Sequence, residues 1–180
     1  MKFIFNMGHA EVLDGLLFMA SKSEQLKKTR KKTRILFLIL ILLLTFIFFI
    51  LNKFFAYILG AVGILFFIFY PNYSRLFYRK YFTKVADTKE YQSLHGQVDV
   101  FLTNEFIESH SVKGEMKYYF SNIENITETK DYFFLKTKTI EYLLFPKSQI
   151  ENLNELKSYF KNISQEHRID FMEEMNWKWQ

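Results

Sequence analysis

Hydrophobic and polar positions divide the chain into a mixed N-terminal stretch, an apolar block and a long alternating segment. Residues 35–51 run ILFLILILLLTFIFFIL, with Thr45 the lone polar position. Asn52 and Lys53 interrupt the block, residues 54–70 form a second apolar run, and Pro71-Asn72 close it. As a helix, each run is about 25 Å long, and each Leu, Ile or Phe favours membrane insertion by roughly 0.3–0.6 kcal/mol. An interruption of two residues predicts a tight transmembrane hairpin, with helices over 35–51 and 54–70. A buried core helix is a poor alternative, because the rest of the chain is too small to cover it. A cleaved signal sequence fits no better: the first run starts at residue 35 and has no small-residue cleavage site after it. Ala56, Gly60 and Gly63 offer small positions for close packing against the first helix or another copy.

Residues 9–32 place Val12, Leu13, Leu16, Leu17, Met19 and Ala20 on a broad apolar face. Residues 1–34 therefore read as an amphipathic, basic N-terminal helix, and 71–84 as a basic juxtamembrane linker. From about Val85 the period shortens. Gln97–Leu102, Phe106–Ser111, Glu115–Phe120, Ile123–Thr129, Tyr132–Thr137 and Ile140–Phe145 are rich in aromatic and β-branched residues and predict six strands. Thr103-Asn104 and Lys113-Gly114 read as turns, as does Lys130-Asp131. Ser148 and Glu151 have capping-box spacing ahead of Ile150, Leu153, Leu156, Phe160 and Ile163, so a helix is expected from about Ser148. The expected fold class is an α+β membrane protein. A transmembrane hairpin carries a small antiparallel β domain of pleckstrin-homology-like outline over 85–163, closed by a C-terminal helix and followed by a tail over 164–180.

Charge changes the picture by being unevenly spread. Residues 1–34 carry eight Lys/Arg and three Asp/Glu, residues 35–85 five and none, and residues 86–180 eleven and sixteen. The basic balance thus belongs to the flanks of the apolar block. Lys27, Lys28, Arg30, Lys31, Lys32 and Arg34 precede it, and Arg75, Arg79 and Lys80 follow it. These nine are the expected membrane-interface residues. Only Lys53 lies in the turn, so the positive-inside rule puts both termini in the cytoplasm of a multi-pass protein of the inner (plasma) membrane. The acidic domain excludes nucleic acid as a partner, since phosphate contacts need a basic face. With no cysteine, disulfides and thiolate metal sites are excluded.

The segment 118–163 resembles the C-terminal domain of YcxB-like proteins, a family of uncharacterised bacterial membrane proteins. The resemblance rests on an aromatic before Ser121-Asn122-Ile123, on Glu128-Thr129-Lys130-Asp131-Tyr132-Phe133, and on Phe145-Pro146-Lys147 ahead of the helix. Phe120 stands where Trp is common in the family, and the tail after Ile163 lies outside the family pattern. The resemblance implies the architecture above and no particular activity.

No nucleotide loop, dinucleotide fingerprint, nucleophile elbow or zinc-protease motif occurs. His9, His95, His110 and His167 are scattered singly, and the spacing of His9, Glu11 and Asp14 matches no ligand motif. Neither catalytic residues nor a metal or cofactor is expected. Lys130, Asp131, Tyr132, Trp177 and Trp179 are the candidate partner surface, the two tryptophans either anchoring at the bilayer or packing on the domain. The expected function is a membrane-anchored, non-enzymatic binding or regulatory module, an immunity-type protein interaction being one version. Its partners would be the lipid bilayer and an unidentified protein or a second copy. Lipid head-group sensing is the alternative.

Overall fold

The computed structural model describes residues 1–112, 114–139 and 141–179 and divides into two compact units: residues 1–16 with 83–178, and residues 17–82 with Trp179. Lys113, in an expected turn, and Ile140, the expected start of a strand, lie outside the described residues.

The first unit holds two four-stranded sheets. Strands β1 (Lys2–Met7), β2 (Gly96–Leu102), β3 (Phe106–Ser111) and β4 (Gly114–Tyr119) pair antiparallel in chain order. In the second sheet β5 (Ile123–Thr129), β6 (Tyr132–Thr137) and β7 (Tyr142–Pro146) form an antiparallel meander. Strand β8 (Asp170–Glu174) joins it parallel to β5, giving the order β7-β6-β5-β8. The five expected strands that start within the described residues lie within about one residue of their predicted ends. Gly96 and Gly114 open β2 and β4 with φ of 124° and 120°, a region that side chains with a Cβ rarely enter.

Alternation explains the layers. Phe5 of β1, Val100 and Leu102 of β2 and Ile107 of β3 turn to one core with Ile126, Phe133, Leu135 and Phe145 of the second sheet. Helix α5 (Leu153–Glu166) adds Leu156, Phe160 and Ile163 to it. Phe160 meets Phe133 and Phe145 edge-on at 5.3 Å each, and Phe145 meets Phe5 at 5.6 Å. Each fully buried side chain of this size stabilises the fold by about 1.5–3 kcal/mol.

Several expectations are revised. Residues 1–34 are not one helix: β1 comes first, then α1 (His9–Lys22), and Ser23 caps a new helix by accepting from Leu26 N–H at 3.2 Å. Residues 86–95 hold a short helix, α4 (Lys89–Gln92), before the first strand of the predicted six. Helix α5 begins at Leu153 rather than Ser148, because Lys147–Gln149 form a 3-10 turn and Ile150 is extended. The stretch 164–180 is no simple tail, since it finishes α5 and then supplies β8.

In the second unit α2 (Glu24–Leu51) and α3 (Lys53–Ala86) are joined by Asn52 alone. Asn52 ends one helix by donating to Phe48 O at 2.6 Å and starts the next by accepting from Phe54 N–H at 3.0 Å. Phe48 meets Phe55 and Phe37 meets Phe66, so the two run antiparallel. A Cβ at Gly63 would lie 2.5 Å from Ile41 Cγ2, so this glycine serves close packing against the first helix, while one at Gly60 would meet Thr45 Cγ2 at an ordinary 3.9 Å. Contrary to expectation Pro71 does not end α3, and the basic stretch 71–84 is helical. Proline lacks the N–H that would bond Phe67 O; Arg34 donates to that carbonyl instead, at 3.2 Å, with its guanidinium 3.9 Å from the Phe67 ring centroid. Both helices are long and apolar enough to cross a membrane, and their apolar side chains are largely exposed.

Candidate functional site

Strand β1 is an edge of the first sheet. Its pairing with β2 uses one set of alternating main-chain groups and turns the other set outward. At Asn6 the outward groups meet the Gln149 carboxamide: Asn6 N–H donates to Oε1 at 2.7 Å, and Nε2 donates to Asn6 O at 3.0 Å. This contact also explains the late start of α5, since Gln149 is held to the sheet before the helix begins. Beyond it lies a groove of about 470 Å3, walled by Met1–Ile4 on one side and by Gln149, Glu151, Asn152 and Glu155 on the other. Ile4 is 52% exposed, and Glu151 and Glu155 are exposed. Lys2 is held by Asp99 at 3.0 Å, and that carboxyl is kept below its usual range by hydrogen bonds from Gln97 and Lys2. Sequence reasoning missed this site because it missed β1. The signal was present, as Phe3, Phe5 and Met7 alternate with Lys2, Ile4 and Asn6.

A second cluster is structural. Glu128 is buried in β5 and receives Lys147 Nζ at 2.6 Å and Lys157 Nζ at 2.7 Å. Lys147 also donates to Thr129 O at 2.7 Å and sits 4.7 Å from the Phe133 ring centroid, while its N–H bonds Asp131 O. Lys157 and Lys161 share Glu173 of β8 at 3.2 and 3.0 Å, which holds that carboxyl below the usual range. Two of the three sequence runs that carry the family resemblance, residues 128–133 and Phe145-Pro146-Lys147, thus close on each other as one knot fastening β5, β6, β7 and α5.

The expected partner surface separates. Lys130 and Asp131 are the exposed two-residue turn between β5 and β6, with Thr129 Oγ1 accepting from Tyr132 N–H across it. Tyr132 is half-buried and donates to Asp14 Oδ2 at 2.8 Å; burial, and then that carboxylate, push its phenol pKa up. Trp177 packs on Phe134 in the first unit. Trp179, in the second, is buried against Phe82 and donates to Arg75 O at 3.0 Å. Both rings therefore pack on protein.

Of the expected interface residues, Arg30 donates to Ser74 Oγ at 2.9 Å beneath the Tyr78 and Trp179 rings, and Arg34 serves the Pro71 gap. Lys27 pairs with Glu24 at 2.8 Å. Lys28, Lys31, Lys32, Arg75, Arg79 and Lys80 are exposed along the same ends of α2 and α3. His9 pairs with Asp87 at 3.1 Å, Glu11 accepts from Gly8 N–H, and Asp14 takes Tyr132, so those three diverge. The strand register instead gathers Glu108, His110 and Glu115, whose ligand atoms lie within 4.8 Å of one another. His110 Nε2 lies 2.9 Å from a Glu108 carboxylate oxygen and Nδ1 3.6 Å from one of Glu115.

No curated protein matches the chain. Residues 102–160, from the last residue of β2 to Phe160 in α5, match the family model of the YcxB-like protein, so the C-terminal part of this chain is similar to a YcxB-like domain.

Proposed function

We propose that the chain is a membrane-anchored, non-enzymatic binding module whose docking site is the open edge of β1. The observation that carries this reading is the exposed edge strand beside a walled groove, in a domain whose other polar clusters are closed by internal ion pairs. The anchor is the α2–α3 hairpin, crossing the bilayer with both ends in the cytoplasm. Pairing of β1 with β2 supports this, because residues before α2 and after α3 then belong to one unit on one side. The basic residues flanking the hairpin favour the cytoplasmic side. A four-strand meander, a three-strand meander and one covering helix support the pleckstrin-homology-like outline. Head-group sensing has weaker support, as Lys2, Lys136, Lys147, Lys157 and Lys161 each face a carboxylate.

The test is site-specific photo-crosslinking in cells that make the chain at native level. A benzophenone amino acid at position 4 should give heterologous protein adducts, and the same group at exposed Lys138 should give few. Adducts of equal yield and identity at both positions, or none from position 4, would reject the edge as the docking site.

A further inference from the structure

We infer that the β1 edge takes an extended peptide as a fifth strand of the first sheet, and that this peptide alternates apolar and basic side chains. The inference deepens the binding-module reading and rests on it. Main-chain hydrogen bonds between Met1 and Leu102 fix which β1 residues face β2. Counting by two, Phe3, Phe5 and Met7 bond inward, and Lys2, Ile4 and Asn6 present their N–H and C=O groups outward. Gln149 supplies one donor and one acceptor to Asn6, the two bonds a neighbouring strand would make at that rung. The ladder then stops: among the described residues, nothing is placed on the outward groups of Ile4 or Lys2. An added strand completes those rungs at no cost in broken bonds, and main-chain pairing is how sheet edges bind extended peptides.

The groove selects side chains as well. Residues of an added strand alternate between the two faces of the sheet. On the outer face they lie beside Ile4, an exposed apolar side chain that rewards an apolar neighbour. On the inner face they lie beside Phe3 and the wall formed by Glu151 and Glu155. Neither of those carboxylates is in an ion pair among the described residues, whereas Lys2 across the groove is already paired to Asp99. Against these two carboxylates the groove holds the Met1 ammonium, which donates to Leu102 O; the charge left over is negative, and a basic side chain satisfies it. A second copy's β1 fits less well, since its single cation is spent on Asp99.

The probe is a fluorescein-labelled hexapeptide KVKVKV, titrated with the full chain in dodecyl maltoside and read by fluorescence anisotropy. Binding should exceed that of EVEVEV by at least about tenfold and weaken with salt. Glu151→Gln with Glu155→Gln should weaken KVKVKV about three- to fivefold, as expected for exposed pairs. Ile4→Pro removes an outward donor without touching the β1–β2 ladder and should cost about tenfold. KVKVKV with N-methylated valines tests the rungs with the protein unaltered, and it should not bind. Equal binding of KVKVKV and EVEVEV, or of the methylated and plain peptides, overturns the inference. So does a dimer in light scattering that Ile4→Pro dissociates, which would assign the edge to a second copy. Protein adducts from position 4 in cells together with no KVKVKV binding would reject the basic strand while leaving the binding module standing.

Discussion

At the scale of single residues, the decisive group is a charge with little access to water. Glu128 and Lys147 have side chains 3% and 8% exposed, and their 2.6 Å contact replaces the hydration each gave up on folding. Removing one partner of such a pair costs about 3–5 kcal/mol, because the other is left buried and charged. Glu128→Met should therefore lower stability by about that much, with Lys147 keeping Thr129 O and the Phe133 ring but no counter-charge. The double change Glu128→Met with Lys147→Met should recover most of the loss, since two apolar side chains of similar size leave no orphaned ion. Thermal unfolding of the full chain in detergent, followed by circular dichroism, measures all three; a double variant as unstable as the single one would mean that Lys157, not Lys147, is the partner that matters. The residue types of this knot are plain in the sequence, but their meeting is not. Nineteen positions separate Glu128 from Lys147, and only the β5-β6-β7 register brings them together.

At the scale of elements, legibility follows how local the deciding contacts are. The β2 to β7 strands could be read because each pairs with a chain neighbour across a short turn, so alternation and turn residues suffice. Strands β1 and β8 could not, since β1 finds its partner some ninety residues on and β8 pairs parallel to β5 across a helix. Pro71 misled for a similar reason: the Phe67 carbonyl that its missing N–H leaves unbonded accepts from Arg34 of the other helix, 33 positions from Phe67. The candidate site fell in the same gap, because it is the edge of the one strand whose partner is most remote. One consequence can be measured. A fragment of residues 86–180 lacks Phe3 and Phe5, which cover Val98 and Val100 of β2, and Phe5 is 1% exposed in the core. Losing a buried Phe alone costs about 3–5 kcal/mol, a large share of the stability of a domain this small. The fragment should show no cooperative melt, and fusing residues 1–16 to it through a Gly-Ser linker should restore one. A fragment that melts as sharply as the fusion would show that β1 is an ornament to the sheet rather than a part of it.

At the scale of the whole molecule, the chain leaves and re-enters one unit around the hairpin. Residues 1–16 and 83–178 share a sheet and a core, and α2 and α3 lie between them in sequence. In the proposed anchoring, two crossings return the chain to its starting side, as the β1–β2 pairing would require; a single crossing would separate strands that are hydrogen-bonded. In that proposal the pairing sets sidedness only relative to itself, and the Lys/Arg flanks favour the cytoplasmic side. The sequence contains no cysteine, so single cysteines report position without background. Lys53→Cys, beside the break between the helices, should react with a membrane-impermeant maleimide in intact cells. Asn104→Cys, on the exposed β2–β3 turn, should react only after the membrane is opened. The opposite pattern would place the β1 edge outside the cell and confine its partners to extracellular ones. Labelling of both positions in intact cells would remove the bilayer crossing itself, and with it the anchor on which the binding reading depends.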